Sequence, residues 1–205
     1  MTGKPCQDRA AGFVRGALAG VVLCDGAGSC AHSERAAQRL MEWIPDYLQI
    51  TFDTLCALPP EECYCTLLFY AAHADGRWLC GHISDGYIFH IRQDTAVVFS
   101  APENGHAINE TYFLSEPGAA QHLRIRSGEL HEPYAVLLTS DGGGDTLFDR
   151  QQQQPAPAVE RLCDWLTEND EKTVTEALAH VIKEKMIPAT EDDVSVAILY
   201  CSEDE

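Results

Sequence analysis

Between Cys65 and Ser100 the chain carries four short apolar runs that are separated only by turn signals. The runs are Cys65 to Ala72, Arg77 to Ile83, Tyr87 to Arg92 and Thr95 to Ser100. The connections between them contain Asp-Gly or Gln-Asp pairs and are too short for the helical crossovers that parallel strands need. This region therefore predicts an antiparallel meander.

The segments on either side of this region predict further strands and amphipathic helices. Strands are predicted at Leu18 to Cys24, Leu123 to Arg126, Tyr134 to Ser140 and Val194 to Tyr200. Helices are predicted at Ala37 to Ile44, where apolar residues recur at helical spacing, and at Asp46 to Ala57, Ala158 to Thr167 and Glu171 to Met186. The patterns continue without a long linker, so we expect one domain spanning residues 1–205. Helices before and after antiparallel strands predict sheets that are covered by helices on their outer faces.

The formal charge of −18, from 14 basic and 32 acidic residues, limits the partners of the chain. Such a charge repels nucleic acid and anionic membrane surfaces, so neither is expected as a partner. No segment reaches the roughly 20 apolar residues that a membrane-spanning helix needs, and the first residues lack the apolar stretch of a secretory signal. We therefore expect a cytoplasmic protein.

The nine cysteines are better explained by packing than by cross-linking or zinc. Several of them, such as Cys24 and Cys80, lie inside apolar runs, where a thiol packs as a small apolar group. Disulfide scaffolding is not expected in the cytoplasm. Cys63 and Cys65 are a close pair, but no second pair or nearby His completes a zinc site.

Three apolar runs end at an Asp-Gly pair, and a fourth acidic group precedes the last strand. The pairs are Asp25-Gly26, Asp85-Gly86 and Asp141-Gly142, and the group is Glu191-Asp192-Asp193. A strand end holds a carboxylate in place, and the glycine allows a sharp turn and a close approach of the backbone. Carboxylates gathered in this way, without a Cys or His ligand set, favour hard divalent cations such as Mg²⁺ or Mn²⁺.

Other catalytic motifs fit this chain less well. The eight histidines lack the spacing of a zinc hydrolase, and Gly26 to Ser29 lacks the order of a nucleophile elbow. The segment Asp141 to Asp145 has three glycines after a strand but no Lys, so it does not match a phosphate-binding loop. We expect a flexible turn there, beside the metal site.

Six motifs, in the order in which they occur, resemble the metal-dependent protein phosphatases, the protein phosphatase 2C-like family. They are Lys4 to Asp8, Val21 to Ser29, Cys65 to Leu68, Ile83 to Gly86, Leu137 to Gly142 and Asp192 to Val196. The second motif contains Asp25-Gly26-Ala27-Gly28-Ser29 and is most similar to the bacterial branch of that family, as is the stretch from Ser100 to Thr111. Each motif is short, but their order over nearly the whole chain makes the resemblance specific.

The resemblance implies an α+β fold, a four-layer α/β/β/α sandwich in which helices flank two central antiparallel sheets. It also implies a site for two Mg²⁺ or Mn²⁺ ions at one end of the sandwich. By motif position, Asp25 would bridge both metals and Gly26 would lend its carbonyl to one of them. Asp141 and Asp192 would complete the shell of the other metal. Asp8 is implied as the catalytic residue that holds a metal-coordinated water.

The activity implied by the resemblance is the hydrolysis of phosphoserine or phosphothreonine on a protein. Two cations that share a carboxylate lower the pKa of a water between them and align it with phosphorus, so no protein nucleophile is required. The implied partners are a phosphorylated protein and a cognate Ser/Thr kinase, and we expect a monomer.

Two departures from the family pattern motivate an alternative. Many members carry a His directly after the second-motif Asp-Gly, where this chain has Ala27, and many carry a phosphate-binding Arg before the first-motif Asp, where it has Gly3. His32 and Arg9 are candidates to replace these groups, but a His or Arg beside a helix start is more often a surface group. The alternative is a catalytically weak or inactive relative that binds a phosphoprotein or a regulatory partner.

Structural interpretations are available for three further acidic residues. Asp85 matches a motif position that usually serves the fold, so a structural role is expected for it. Glu61 and Glu62 lie near the place where some members hold an acidic ligand of a third, weaker metal. A solvated loop between a helix and a strand accounts for these two residues equally well.

Overall fold

The computed structural model describes residues 6–15, 18–27, 32–43, 64–103 and 111–202. The strands within these ranges are β1 (Arg9–Arg15), β2 (Leu18–Cys24), β3 (Leu67–His73), β4 (Arg77–Ile83), β5 (Tyr87–Arg92), β6 (Thr95–Ser100), β7 (Arg124–Glu129), β8 (Tyr134–Thr139), β9 (Phe148–Asp149), β10 (Gln154–Pro155) and β11 (Val196–Cys201). The helices are α1 (Ser33–Trp43), α2 (Ala119–His122), α3 (Asp141–Leu147), α4 (Pro157–Glu168) and α5 (Glu171–Val181). Helix α5 continues into a π-helical turn, Ile182–Met186, and a 3₁₀ turn, Ile187–Ala189.

The longer strands form two antiparallel sheets. The first sheet has the order β1-β2-β3-β4-β7, and the second has the order β11-β8-β5-β6. Strands β9 and β10 form a separate small pair. The pairing of β1 with β2 sets Arg9 opposite Cys24, which brings the residues just outside these strand ends next to each other.

Strand β2 is apolar on both faces because its sheet is covered on both sides. Val21 and Leu23 lie between the two sheets, whereas Val22 and Cys24 belong to the core beneath α1. Successive side chains of a strand point to opposite faces, so an unbroken apolar run is what a doubly covered strand requires. Strand β8 alternates in the same way between the interior and the helices on the second sheet.

Helices cover the outer faces of both sheets. Helix α1 places Ala37, Leu40 and Met41 against the first sheet, as its apolar stripe predicts. Helix α4 packs Val159 and Leu162 against the second sheet. The four-layer α/β/β/α sandwich is therefore confirmed. Within the described ranges, none of the helices has the length and apolar character needed to cross a membrane.

The predicted meander is wrong at its centre, because β4 and β5 lie in different sheets. Strand β4 pairs with β3 and β7, whereas β5 pairs with β6 and β8. The chain changes sheets at Ser84 to Gly86, where Ser84 has a φ of 102°. A side chain on Gly86 would collide with the carbonyl oxygen of Thr139, so only glycine lets β5 start this close to β8. Spacing alone could not reveal this change of sheet.

The glycine-rich segment after β8 is also different from its prediction. It forms helix α3 and not a flexible turn. A side chain on Gly142 would collide with the carbonyl oxygen of Asp193, and one on Gly144 would come within 2.8 Å of the Tyr87 ring. Close packing against these neighbours compensates for the low helix propensity of glycine.

The remaining predictions have mixed outcomes. The helices at Ala158 to Thr167 and Glu171 to Met186 are confirmed, with the last turn of the second in π-helical form. Strand β1 was not predicted, because its small residues carry no clear alternation. The helix predicted at Asp46 to Ala57 lies outside the described residues.

Candidate metal centre

The three Asp-Gly pairs meet at one end of the sandwich. Asp25 follows β2, Asp85 follows β4, and Asp141 follows β8 as the first residue of α3. One carboxylate oxygen from each lies within 4.8 Å of the other two. These three residues are called the carboxylate cluster below. The three residues are far apart in the sequence, so the topology of the sheets is what brings them together.

The backbone of Asp25 is fixed by the neighbouring strand. Its N–H donates to Thr66 Oγ1 at 2.8 Å, and its carbonyl oxygen accepts from the Thr66 N–H at 2.7 Å. The next residue, Gly26, forms an isolated bridge with Cys65. A side chain on Gly26 would lie 2.9 Å from the carbonyl oxygen of Gln7, so glycine allows the segment before β1 to approach.

Asp8 lies beside Asp25 because Asp8 directly precedes β1, Asp25 directly follows β2, and the pairing of these strands sets Arg9 opposite Cys24. Its side chain is only 5% exposed, and its Oδ2 atom has no hydrogen-bond partner among the described residues. Burial raises the pKa of Asp8, a hydrogen bond shared with Asp25 lowers it, and the charge of Asp193 raises it again. A buried carboxylate oxygen without a partner indicates that the site binds a further group.

Repulsion is strong inside the carboxylate cluster. Burial raises the pKa of Asp25 well above its ordinary value, and the charges of Asp8 and Asp141 raise it further. Burial likewise raises the pKa of Asp141, followed by the charge of Asp85. Like charges held this close in a partly buried site favour protonation unless a cation is present.

Asp192 lies at the rim of the site and is not part of the close group of three. Burial and the charges of Asp145 and Asp85 raise the pKa of Asp192, which shows that it is near the cluster. Thr190 holds this segment, because its hydroxyl donates to Asp145 at 2.9 Å and accepts from the Asp192 N–H at 3.2 Å.

Asp85 is the member of the carboxylate cluster for which a structural role was expected from the sequence. Its Oδ1 atom accepts a hydrogen bond from Ser84 at 2.7 Å, and its Oδ2 atom accepts one from Thr111 at 2.7 Å. One oxygen of its carboxylate also lies within 4.8 Å of a carboxylate oxygen of Asp25 and of Asp141. The sequence contained a signal for this proximity, because Asp85 is part of an Asp-Gly pair at a strand end, as the other two residues are.

The residues considered as replacements for the missing His and Arg have structural contacts. The Arg9 guanidinium donates to the carbonyl oxygens of Cys6 and Asp8 and to the side chain of Gln38. The carbonyl of His32 accepts from the N–H groups of Arg35 and Ala36 at the start of α1. Arg9 therefore holds the Asp8 segment in place. Gly3, Glu61 and Glu62 lie outside the described residues.

These observations fit a site for divalent cations. The donors are carboxylate oxygens, the ligands that Mg²⁺ and Mn²⁺ prefer. The raised pKa values of Asp25 and Asp141 and the unpartnered oxygen of Asp8 are features that bound cations would relieve.

Several solved structures have the same fold as this chain. The S. agalactiae serine/threonine phosphatase has 15% identity and a TM-score of 0.63, over 99% of this chain and 96% of that one. RsbX in complex with magnesium has 11% identity and a TM-score of 0.62, over 97% of this chain and 89% of that one. PppA, a regulatory component of T6SS in Pseudomonas aeruginosa, has 15% identity and a TM-score of 0.58, over 94% and 96%. At these identities the likeness shows the fold.

Comparison at the level of sequence identifies the family. No curated protein matches the sequence. The sequence profile described as protein phosphatase 2C matches residues 1–57 and 52–183, which is most of the chain. The chain therefore belongs to the protein phosphatase 2C family.

Proposed function

We propose that the chain is a Mg²⁺- or Mn²⁺-dependent phosphatase that hydrolyses phosphoserine or phosphothreonine on a protein. The observation that carries the proposal is the carboxylate cluster beside the buried, unpartnered oxygen of Asp8. Membership of the protein phosphatase 2C family supports it. So does the presence of magnesium in RsbX, which has the same fold.

Asp25 has the central place in the proposed site, since its carboxylate adjoins both Asp8 and Asp141. Asp25 and the carbonyl of Gly26, together with Asp141 and Asp192, would hold the two cations. The position of Asp85 within the cluster supports adding it to this ligand set.

When bound, the two cations would activate a water for attack on phosphorus and offset the charge that builds on the phosphoryl oxygens. Asp8 would accept a hydrogen bond from that water through Oδ2, the atom without a partner. Burial raises the pKa of Asp8, and the charge of a bound cation would favour the ionised form, which accepts this hydrogen bond. The nucleophile comes from solvent, and no side chain forms a covalent bond with the substrate.

The proposed partners are a phosphorylated protein and a cognate Ser/Thr kinase, and the proposed unit is a cytoplasmic monomer with one domain. The chain is strongly acidic, with a net charge of −18. Bound cations would make the site locally positive, so the site would attract the phosphate group of a substrate although the rest of the acidic surface repels it.

The test is hydrolysis of p-nitrophenyl phosphate and of a phosphothreonine peptide with Mn²⁺, with EDTA, and by Asp141→Asn. We expect turnover that requires Mn²⁺ and is lost in Asp141→Asn. The matched control is Asp164→Asn, which changes an exposed Asp on α4 and should retain full activity.

Absence of turnover from folded wild-type protein that still binds Mn²⁺ would contradict the proposal. That result would favour the alternative of a phosphoprotein-binding or regulatory module. Turnover that survives both EDTA and Asp141→Asn would also contradict it, because hydrolysis would then not depend on this site.

A further inference from the structure

Both oxygens of the Asp85 carboxylate accept hydrogen bonds from hydroxyl groups. Ser84 Oγ donates to Oδ1 and Thr111 Oγ1 donates to Oδ2, each at 2.7 Å. These distances are short, as is usual for hydroxyl donors to an ionised carboxylate. A carboxylate has about four lone-pair positions, so about two remain directed elsewhere. The hydroxyls therefore orient Asp85 without using up its capacity to bind a cation.

The Ser84 donor belongs to a strained turn. Ser84 has a φ of 102°, a left-handed backbone conformation that non-glycine residues rarely adopt, and it is 1% exposed. Its carbonyl oxygen accepts from the Glu103 N–H at 3.1 Å, which holds the strained residue in place. Strain of this kind persists where the surrounding structure enforces it, and it is common at functional sites.

The Thr111 donor is positioned by neighbours that do not involve Asp85. Tyr112 stacks on His122 with ring centroids 3.5 Å apart, and Phe113 stacks on Tyr64 at 5.3 Å. The Leu114 N–H donates to the carbonyl oxygen of Cys65 at 2.9 Å. These contacts fix the backbone after Thr111, so the hydroxyl has a set location to which the Asp85 side chain is drawn.

We infer that Thr111 is a positioning residue, whose hydroxyl holds Asp85 in the orientation in which its carboxylate binds a divalent cation together with Asp25 and Asp141. The inference rests on the proposed function. Without the Thr111 hydroxyl, the Asp85 side chain can rotate away from the two repelling carboxylates. Loss of partners that orient a metal ligand weakens metal binding by roughly 10-fold to 100-fold.

The experiment is calorimetric titration of the full chain with Mn²⁺, for wild type, Thr111→Val, Thr111→Ser, Asp85→Asn and the double variant Thr111→Val with Asp85→Asn. We expect Thr111→Val to weaken Mn²⁺ binding by roughly 10-fold. Thr111→Ser keeps the hydroxyl and should bind as wild type does. In the Asp85→Asn background, Thr111→Val should have no further effect, because the group that it positions is already changed.

Thermal unfolding without metal separates this role from a structural one. If Thr111 only stabilises the turn, Thr111→Val lowers the unfolding temperature and leaves the Mn²⁺ affinity unchanged, which overturns the inference. An equal loss of affinity in the wild-type and Asp85→Asn backgrounds overturns it as well. Wild-type protein that binds no Mn²⁺ overturns the proposed function itself. This result differs from failure of the positioning role alone, in which wild type binds Mn²⁺ and Thr111→Val binds it equally well.

Discussion

Two buried polar regions of this sandwich are made from opposite kinds of side chain. The carboxylate cluster and Asp8 are acids that repel one another, and burial together with repulsion raises the pKa values of Asp25 and Asp141. The second region lies between the sheets and is called the aromatic cluster; its members are Tyr70, Trp78, His90, Phe99 and Tyr134. Its polar groups are neutral near pH 7, since burial lowers the pKa of His90 to about 4 and raises that of Tyr134.

The contrast separates the groups that we propose bind cations from the groups that stabilise the fold. Aromatic side chains stack and bury their area without charge, so they contribute stability directly. Buried carboxylates destabilise the metal-free fold and are stabilising only with a cation between them. Changes in the first region should therefore affect function more than folding, and changes in the second should do the reverse.

The largest expected effect is that of Asp25→Asn on turnover. We expect a loss of roughly a thousand-fold, as for other residues at the reacting centre. The metal-free variant should unfold at the same temperature as wild type or a higher one, because the amide removes a charge from a repelling group. Hydrolysis of p-nitrophenyl phosphate with Mn²⁺ and thermal unfolding in EDTA measure the two effects.

The control for Asp25→Asn is Asp94→Asn. Asp94 lies in the turn between β5 and β6 with a φ of 58°, a conformation that Asn accepts readily. This variant should change neither turnover nor stability. A metal-free Asp25→Asn protein that is much less stable than wild type would show that Asp25 serves the fold.

The next largest expected effects come from adding one methyl group beside each of the two regions. A side chain on Gly143 would collide with the hydroxyl of Thr139, and one on Gly128 would lie 2.7 Å from the Trp78 ring. Gly143→Ala and Gly128→Ala should each cost about 1–3 kcal/mol of unfolding free energy from overpacking. Only Gly143→Ala should also lower turnover, because it displaces α3, which begins at Asp141.

Urea unfolding and turnover of the two glycine variants provide the measurement. Equal turnover in both variants, at equal loss of stability, would mean that the position of α3 does not matter for the site. A loss of turnover in Gly128→Ala would mean that the two regions are coupled through the core.

The smallest expected effect is a pH dependence from His90. Its pKa is about 4 in the folded chain, below the ordinary value of 6.5, so its contribution to stability is complete above pH 6.5. That contribution is lost as the pH falls from 6.5 towards 4, because the unfolded chain takes up the proton first. We expect a loss of about 1 kcal/mol between pH 7.5 and pH 5, allowing for screening.

Comparison of wild type with His90→Phe in EDTA isolates this contribution. The stability difference between the two proteins should shift by that amount in favour of His90→Phe at pH 5. The raised pKa values of the carboxylates act in the opposite direction in both proteins, so they cancel in the difference. A difference that does not change with pH would show that His90 is solvated.

Elements whose pattern depends on burial on both sides could be predicted from the sequence. Leu18 to Cys24 is an unbroken apolar run because the residues of β2 alternate between two cores, and the stripe on α1 reflects contact with one sheet. The exchange of sheets between β4 and β5 was not predictable, because a short connection fits a hairpin as well as a change of sheet. It depends on the left-handed backbone of Ser84 and on the close approach of Gly86 to β8.

The sequence by itself predicted the kind of site, one made of carboxylates, because Asp-Gly pairs at strand ends and a set of ordered motifs are local features. Only the tertiary structure decided which carboxylates share that site. Asp85 joins Asp25 and Asp141 because β4, β2 and β8 end at the same place, and Asp192 remains at the rim because its segment is held by Thr190. The physical reason is that distances between strand ends depend on strand order and register, which are set by packing of the whole sandwich.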